Sequence, residues 1–364
     1  MASTLGEIRA DTLQKLEKAV ADYLNAGGPS DAIRGMFEKA GILGDARQVD
    51  LSGDDLPEVI VAADIGGANR DQPEGTAVWL YECRSGRYVV TPIASDGLMY
   101  EPFFGEVSDL NGDGRLDALV GGYFESFNGD CELLLYAIAW DGSSYTNLFG
   151  LSGAYTGVKC PAKLEIRPNV DDGSREIVAT GTTSVTMAGG LGRAVTKTYD
   201  LVDGQYALKT SDLGPSNYRI HVVQDAHQAY LAGDYALAGD LYRKAATDET
   251  LIDYMVDDQN DLRKQYLSAY ALYQLVFVAI SEADSTAAKA AQEELSAAYP
   301  SEKPGTEFIV LATMVMDGIK RGTEHSTICD EVIDKAVADY SNMFSEFEYG
   351  EANAGIIDFC PLQR

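Results

Sequence analysis

Asp109-Leu-Asn-Gly-Asp-Gly-Arg-Leu-Asp117, running into Ala118-Leu-Val-Gly-Gly122, places side-chain oxygens at loop positions 1, 3, 5 and 9, through Asp109, Asn111, Asp113 and Asp117. Calcium is a hard cation that takes roughly six to eight oxygens, and short Asp and Asn side chains on alternate residues can close around it within one tight loop. Gly114 stands at position 6, where the backbone must turn sharply, and the carbonyl of Arg115 would fill position 7. An Asp/Asn/Gly-rich turn without metal is the plainer alternative. Five ligand positions agreeing at once favour the cation.

Position 12 of a helix–loop–helix calcium hand is a Glu, whereas here it is Val120, inside an apolar run that reads as a strand. The loop is therefore EF-hand-like, lacks the flanking helices and leads into β-structure. It also recurs. Asp50-Leu-Ser-Gly-Asp-Asp-Leu-Pro-Glu58-Val-Ile-Val aligns with it at an offset of 59 residues, and Asp172-Gly-Ser-Arg-Glu176-Ile-Val-Ala repeats its second half at the same offset again. Paired strands follow each copy. They are Thr76–Tyr81 with Tyr88–Ile93 through Ser85-Gly86, Leu133–Ile138 with Tyr145–Leu148 through Asp141-Gly142, and Ala194–Tyr199 with Tyr206–Lys209 through Asp203-Gly204. Asp-Gly and Ser-Gly are hairpin-turn signals, so each unit is expected to hold a β-hairpin.

Residues 46–213 so read resemble the FG-GAP/VCBS repeats, whose D-x-[DN]-x-D-G-x-x-D calcium loops lie between strands of propeller-like blades. The resemblance implies one ion held by Asp109, Asn111, Asp113, the Arg115 carbonyl and Asp117. It implies another held by Asp50, Ser52, Asp54, the Leu56 carbonyl and Glu58. The first loop departs from the pattern at Asp55, where Gly is expected, and Ser52 is a poorer ligand than Asp or Asn. Pro168 and Val170 take positions 1 and 3 of the third loop, which reads as a metal-free copy. Closing a propeller takes about four to eight blades. Three units leave open sheet edges, which flanking helices or a partner chain would have to cover.

Helical patterns flank this region. Thr4-Leu-Gly-Glu7 is a capping box; Leu5, Ile8, Leu13, Leu16, Val20 and Leu24 recur at helical spacing, and Ser30 to Ala40 reads as a second short helix ending at Gly41. Residues 1–45 are thus a helical lead-in or cap. After Gly214-Pro215 the pattern is helical again. Gly233, Tyr235, Ala238, Tyr242 and Ala245 fall where tetratricopeptide (TPR) repeats pack helix on helix, so Ala226–Ala245 resembles a TPR hairpin. No Pro ends it, and the next similar stretch, Ala287 to Pro300, lies about 50 residues on rather than ~34. Looser helical packing is expected beyond it, with helices over Leu262–Ile280, Ser285–Tyr299, Thr306–Lys320 and Cys329–Phe347. The fold class expected is α+β multidomain: 1–45 helical, 46–213 three propeller-blade-like antiparallel units with calcium loops, and 214–364 TPR-like α-helical.

At 364 residues the chain can bury two or three cores, and 46% hydrophobic residues with 21 Tyr and 11 Phe describe a globular protein. The formal charge of −29 argues against nucleic acid and anionic membrane as partners. Gln265–Ser281, the most apolar uncharged stretch, is short for a membrane span, so no transmembrane segment is expected. Glu7, Arg9 and Asp11 interrupt any secretory apolar run. The chain is then cytoplasmic or the mature form of an exported one, with Met1-Ala-Ser3 an added start. Extracellular calcium sites are weak and would stand empty at cytosolic calcium, which favours an extracellular or cell-surface location. Of five cysteines, Cys131 with Cys160 and Cys329 with Cys360 could pair, leaving Cys83 as a buried thiol or an intermolecular bridge.

Motifs for catalysis are missing from the sequence. There is no G-x-S-x-G and no H-E-x-x-H; His221, His227 and His325 lie outside the β-region, and Gly189-Gly-Leu-Gly192 lacks a phosphate-binding context. Trp79 and Trp140 read as core rather than as a sugar platform. The function expected is non-catalytic: a calcium-stabilised binding or assembly module at the cell surface, taking a protein or glycan ligand or self-assembling. Two rivals stand beside it. One is a secreted hydrolase with its site between the β and helical domains, which a deep pocket of converging carboxylates outside the calcium loops, or a buried His beside one, would favour; the other is a subunit of an extracellular polymer built through open edges and Cys83.

Overall fold

The computed structural model describes residues 12–66, 75–94, 99–125, 131–150, 153–170, 173–183, 192–253, 260–300, 303–347 and 356–363. The capping box at Thr4–Glu7, Leu5, Ile8, Asp172 and the glycines before Gly192 lie outside the described residues. The chain divides into two compact units, one formed by Met1–Ser184 and Gly192–Gly214, the other centred on Pro215–Arg364. The first mixes helices with antiparallel sheet; the second is helical.

In the first unit, helix α1 (Leu13–Asn25) starts at Thr12, whose side chain accepts from the Lys15 amide, and α2 (Ile33–Ala40) follows a 3-10 turn at Ser30–Ala32. Gly41 ends α2 in the left-handed region, φ +73°. Three four-stranded meanders succeed one another. The first is β1 (Leu43–Val49), β2 (Glu58–Asp64), β3 (Thr76–Arg84) and β4 (Arg87–Ala94). The second is β5 (Met99–Ser108), β6 (Asp117–Glu125), β7 (Cys131–Trp140) and β8 (Tyr145–Asn147). The third is β9 (Ala154–Pro168), β10 (Arg175–Thr183), β11 (Ala194–Val202) and β12 (Gln205–Leu213). The first meander is a separate sheet; β7 pairs with β9, so the other two share one sheet.

The sequence repeat is written into the pairing register. Val49 faces Glu58, Ser108 faces Asp117 and Arg167 faces Glu176, each 59 residues after the last. Two of the hairpin turns, Ser85-Gly86 and Asp203-Gly204, have both residues at positive φ, as the right-handed strand twist favours. Asp141-Gly142 differs. Its turn is widened to Ser144, with the Asp141 side chain accepting from the amides of Ser143 and Ser144 at 2.8 Å.

Strand alternation gives the first two meanders two apolar faces each and the third meander one. Val59, Val61, Trp79 and Tyr81 pack with Leu16, Val20, Leu24 and Phe37 of the helices. On the opposite face Ile60, Ala62, Val78 and Leu80 meet Ala118, Val120, Leu134 and Ile138 of the second meander. Leu119, Leu133 and Leu135 then meet Val158, Ile177, Val195 and Tyr199 of the third. Strands covered on both sides read as unbroken apolar runs, and β2 is buried along its whole length. α1 and α2 therefore cover a sheet face, where the sequence had suggested an edge. The far side of the third meander carries Lys163, Glu165, Thr180 and Thr196, the polar face suited to a terminal repeat. A disulfide from Cys131 to Cys160 staples β7 to β9, with Cα atoms 5.4 Å apart; Cys83, on β3, is a free half-buried thiol.

Among the described residues, the second unit is a run of three helical hairpins. They are α3 (Arg219–Leu231) with α4 (Tyr235–Thr247), α5 (Asn260–Ser281) with α6 (Ser285–Ala298), and α7 (Glu307–Arg321) with α8 (His325–Tyr340). The helix expected from Cys329 begins at His325 and gives way after Tyr340 to a 3-10 stretch, Ser341–Phe347. The first two turns are superposable in their bonding. Asp234 and Asp284 both cap the next helix, and their amides donate to Ala229 O and Ala279 O, each at 2.9 Å. Gly233 and Ala283 occupy the same left-handed position, φ +78° and +56°. A non-Gly residue there is strained by roughly 1 kcal/mol. Ala283→Gly is expected to stabilise this unit by about 0.5–1 kcal/mol, read from denaturant midpoints; a lower midpoint would show that the methyl group contributes packing that outweighs the strain.

The chain's end returns to this core. Phe359 is fully buried against the rings of Tyr270, Phe308 and Phe344, and a disulfide joins Cys360 to Cys329 on α8. Among the described residues no helix is long and apolar enough to cross a membrane.

Candidate metal centre

The loop between β5 and β6 folds on its own carboxylates. Asp109 accepts from the Gly112 amide at 2.7 Å and from Asp113 at 3.1 Å through Oδ1, and from Gly114 at 2.9 Å through Oδ2. Asn111 Oδ1 accepts from the Asp113 amide, and Asp113 Oδ1 from Arg115. Gly112 and Gly114, φ +78° and +86°, make the two left-handed turns that bend the chain round these oxygens.

Asp117 is the unusual member. It opens β6, is 1% exposed, and its Oδ2 accepts from the amides of Leu110 at 2.8 Å and Asn111 at 3.2 Å. Its Oδ1 is buried with no hydrogen-bond partner. Burial pushes this carboxyl up to about 7; the Asp113 and Asp109 charges add to the rise, and the two amide donors oppose it. A buried carboxylate oxygen beside two further carboxylates is costly unless a proton or a cation sits on it. Among the described residues no three His, Cys, Asp or Glu side chains converge as a ready-made cage. The three carboxylates of the expected set, Asp109, Asp113 and Asp117, are thus not gathered as a group, and an ion would have to draw them together with Asn111 and the Arg115 carbonyl. The Asp109 and Asp113 oxygens that face amides keep further lone pairs for a cation. By donor type, carboxylate, amide and carbonyl oxygen, the residues are those a calcium ion takes.

The loop between β1 and β2 has the same backbone with a different ending. Asp50 accepts from the amides of Gly53, Asp54 and Asp55, and Asp54 Oδ1 from that of Leu56. Gly53 and Asp55 supply the two left-handed residues, φ +75° and +66°. Asp55 thus takes the position-6 conformation without being Gly, which Asp tolerates better than most residues. Glu58 is as buried as Asp117, but both its oxygens are engaged: Oε2 accepts from the Leu51 amide at 2.7 Å and Oε1 from the Tyr145 hydroxyl at 2.8 Å. Tyr145 opens β8 of the next meander. Burial first, then its bond to Glu58, raises its phenol well above the ordinary value, so it remains a donor. Ser52 lies beside the same phenol.

In the third copy, Glu176 pairs with Lys209 Nζ at 2.7 Å, and the same ammonium reaches Asp200 at 3.0 Å. An internal cation thus sits on the position-9 carboxylate. The three loops lie side by side. Leu110 O accepts from the Arg175 amide at 2.9 Å and lies 2.9 Å from the Tyr206 hydroxyl, and a Cβ on Gly53 would sit 3.7 Å from the Arg115 side chain. Tyr145, Tyr206 and Lys209 were not among the sequence candidates. Their signal was present, since Tyr88, Tyr145 and Tyr206 each follow a hairpin turn, but their reach across to loop residues is a matter of packing.

The remaining candidates are placed as follows. Trp79 is core, and the half-buried Trp140 ring stands 4.7 Å from that of Tyr145. In the second unit His221 Nδ1 lies 2.7 Å from the Ser216 hydroxyl. His227 Nε2 lies 3.2 Å from Asp358 Oδ1, both buried, and the Asp358 carbonyl accepts from Gln274 at 2.9 Å. Compared with known protein families, curated proteins and solved structures, the chain matches none.

Proposed function

We propose that this chain is a calcium-stabilised, non-catalytic binding or assembly module of an exported protein, built from FG-GAP/VCBS-like repeats followed by TPR-like hairpins. The observation that carries the calcium reading is the orphaned Oδ1 of Asp117, buried within electrostatic reach of Asp109 and Asp113. The ion would be held by Asp109, Asn111, Asp113, the Arg115 carbonyl and Asp117, and its work would be structural. It neutralises clustered carboxylates and fixes the loop that joins two strands, so its binding free energy adds to folding. The shared 59-residue register supports the repeat reading, and the matched turns at Gly233 and Ala283 support the TPR-like one. Two disulfides suit an oxidising compartment, where calcium is also plentiful.

A hydrolase reading would draw on His227 and Asp358. A general base must reach the proton it removes. Both side chains are buried, His227 on α3 and Asp358 within the C-terminal segment, so we assign the pair to anchoring that segment. The test of the calcium reading is thermal melting of the full chain with chelator and with excess calcium. Calcium is expected to raise the first unit's melting temperature, and Asp113→Ala to remove most of that rise. Superimposed curves would sink the calcium reading.

A further inference from the structure

The position-9 carboxylates of the first two loops are equivalent in register and burial, yet only one is open. Leu110 and Leu51, each at loop position 2, donate their amides to one oxygen of Asp117 and of Glu58, at 2.8 and 2.7 Å. That leaves Oδ1 of Asp117 and Oε1 of Glu58 as the oxygens a metal would have to use. Asp117 Oδ1 has no partner, whereas Glu58 Oε1 holds the Tyr145 hydroxyl at 2.8 Å. At the second loop the corresponding tyrosine of the next meander, Tyr206, reaches past the carboxylate to two backbone carbonyls, Leu110 O at 2.9 Å and Arg175 O at 2.7 Å.

We propose that Tyr145 decides which loop takes the ion, its phenol standing on the Glu58 oxygen that a metal would need. The inference rests on the calcium reading of Asp109–Asp117 and adds a selection between loops to it. A neutral O–H donor satisfies the buried Glu58 carboxylate in place of a cation, and it also ties the first loop to the second meander. To bind there, calcium must displace that hydrogen bond and leave a buried hydroxyl without its acceptor, which carries a substantial penalty. At the second loop no phenol stands on Asp117; the donors there, Asn111 Nδ2 at 3.3 Å and Arg115 Nη1 at 3.7 Å, lie on Asp113 Oδ2 at the exposed side of the loop. Tyr145 is a positioning residue here, acting through Glu58.

The experiment is calorimetric titration of the metal-stripped full chain with calcium chloride. The parent is expected to take up one equivalent, and Asp117→Asn none. Tyr145→Phe keeps the ring against Trp140 and removes only the hydroxyl; it is expected to bind a second equivalent, with first-loop affinity raised about 10-fold or more. Adding Asp54→Asn to Tyr145→Phe should take the second equivalent away again. A purely structural role for the phenol would change the melting temperature and leave the stoichiometry at one. Two equivalents in the parent, or one in Tyr145→Phe, would overturn the proposal. A parent that binds none would instead overturn the calcium reading, whatever Tyr145 does.

Discussion

Asp117→Asn is expected to reverse the order of stability between variant and parent according to whether calcium is present. Without metal at pH 8, the parent holds a buried carboxylate with one orphaned oxygen. The variant replaces it with a neutral amide that still offers an acceptor to Leu110 and Asn111, so it should melt higher, by about 2 kcal/mol in stability. With excess calcium the parent gains about 2.7 kcal/mol at a hundredfold excess over Kd, and the variant gains little. The melting curves therefore cross. In pH the sign is fixed by the raised carboxyl of Asp117, about 7 when folded, against roughly 3.9 in an unfolded chain. The folded state holds the extra proton between those values. Its contribution is full below the unfolded value and is lost as pH rises through about 7. Metal-free parent should thus lose stability from pH 5 to pH 8, while calcium or Asp117→Asn removes that slope. Melts by circular dichroism at the two pH values, with and without calcium, check all four corners. A parent as stable at pH 8 as at pH 5 without metal would contradict the buried-charge argument.

Phe359→Ala should be the most damaging single change in the helical unit, costing about 3–5 kcal/mol. The ring is fully buried against Tyr270, Phe308 and Phe344, and its backbone carbonyl accepts from Tyr273 at 2.6 Å. Truncation leaves a cavity on α5, the helix whose Leu267, Tyr270, Tyr273 and Phe277 form the middle of this core. Replacing Cys329 and Cys360 by Ser should cost about 2–4 kcal/mol, since the bridge restrains a 31-residue separation in the unfolded chain. Urea midpoints followed by the far-UV helix signal measure both. Loss of under about 1 kcal/mol for Phe359→Ala would mean that the C-terminal segment is an accessory to the core and not part of it.

The elements that could be read from sequence were those with a local cause. The Asp/Asn/Gly spacing at 109–117 fixed the loop, and Ser85-Gly86 and Asp203-Gly204 fixed their turns because both residues adopt positive φ. Leu133–Ile138 showed as a strand because its residues are apolar without interruption. β5 and β9, the strands that enter the second and third loops, were not singled out, since Tyr100–Val107 and Lys159–Arg167 mix charge and apolar residues on half-buried strands. The break between Ile280 and Ser285 was read in its place, but its likeness to the first helical turn was not, because Ala283 stands where Gly233 marked the first. The residues of the loop were legible, but the hydrogen bonding of their carboxylates was not. Glu58 and Asp117 look interchangeable in sequence; Tyr145, 87 residues beyond Glu58, makes them different.

The most direct measurement is a crystal structure of the full chain grown with calcium, with anomalous scattering used to locate the ion. The expected result is a calcium peak about 2.3–2.6 Å from Asp117 Oδ1 and from oxygens of Asp109, Asn111, Asp113 and Arg115. A well-ordered loop with a water molecule or a protonated carboxyl on Asp117 Oδ1, and no anomalous peak there, would contradict it.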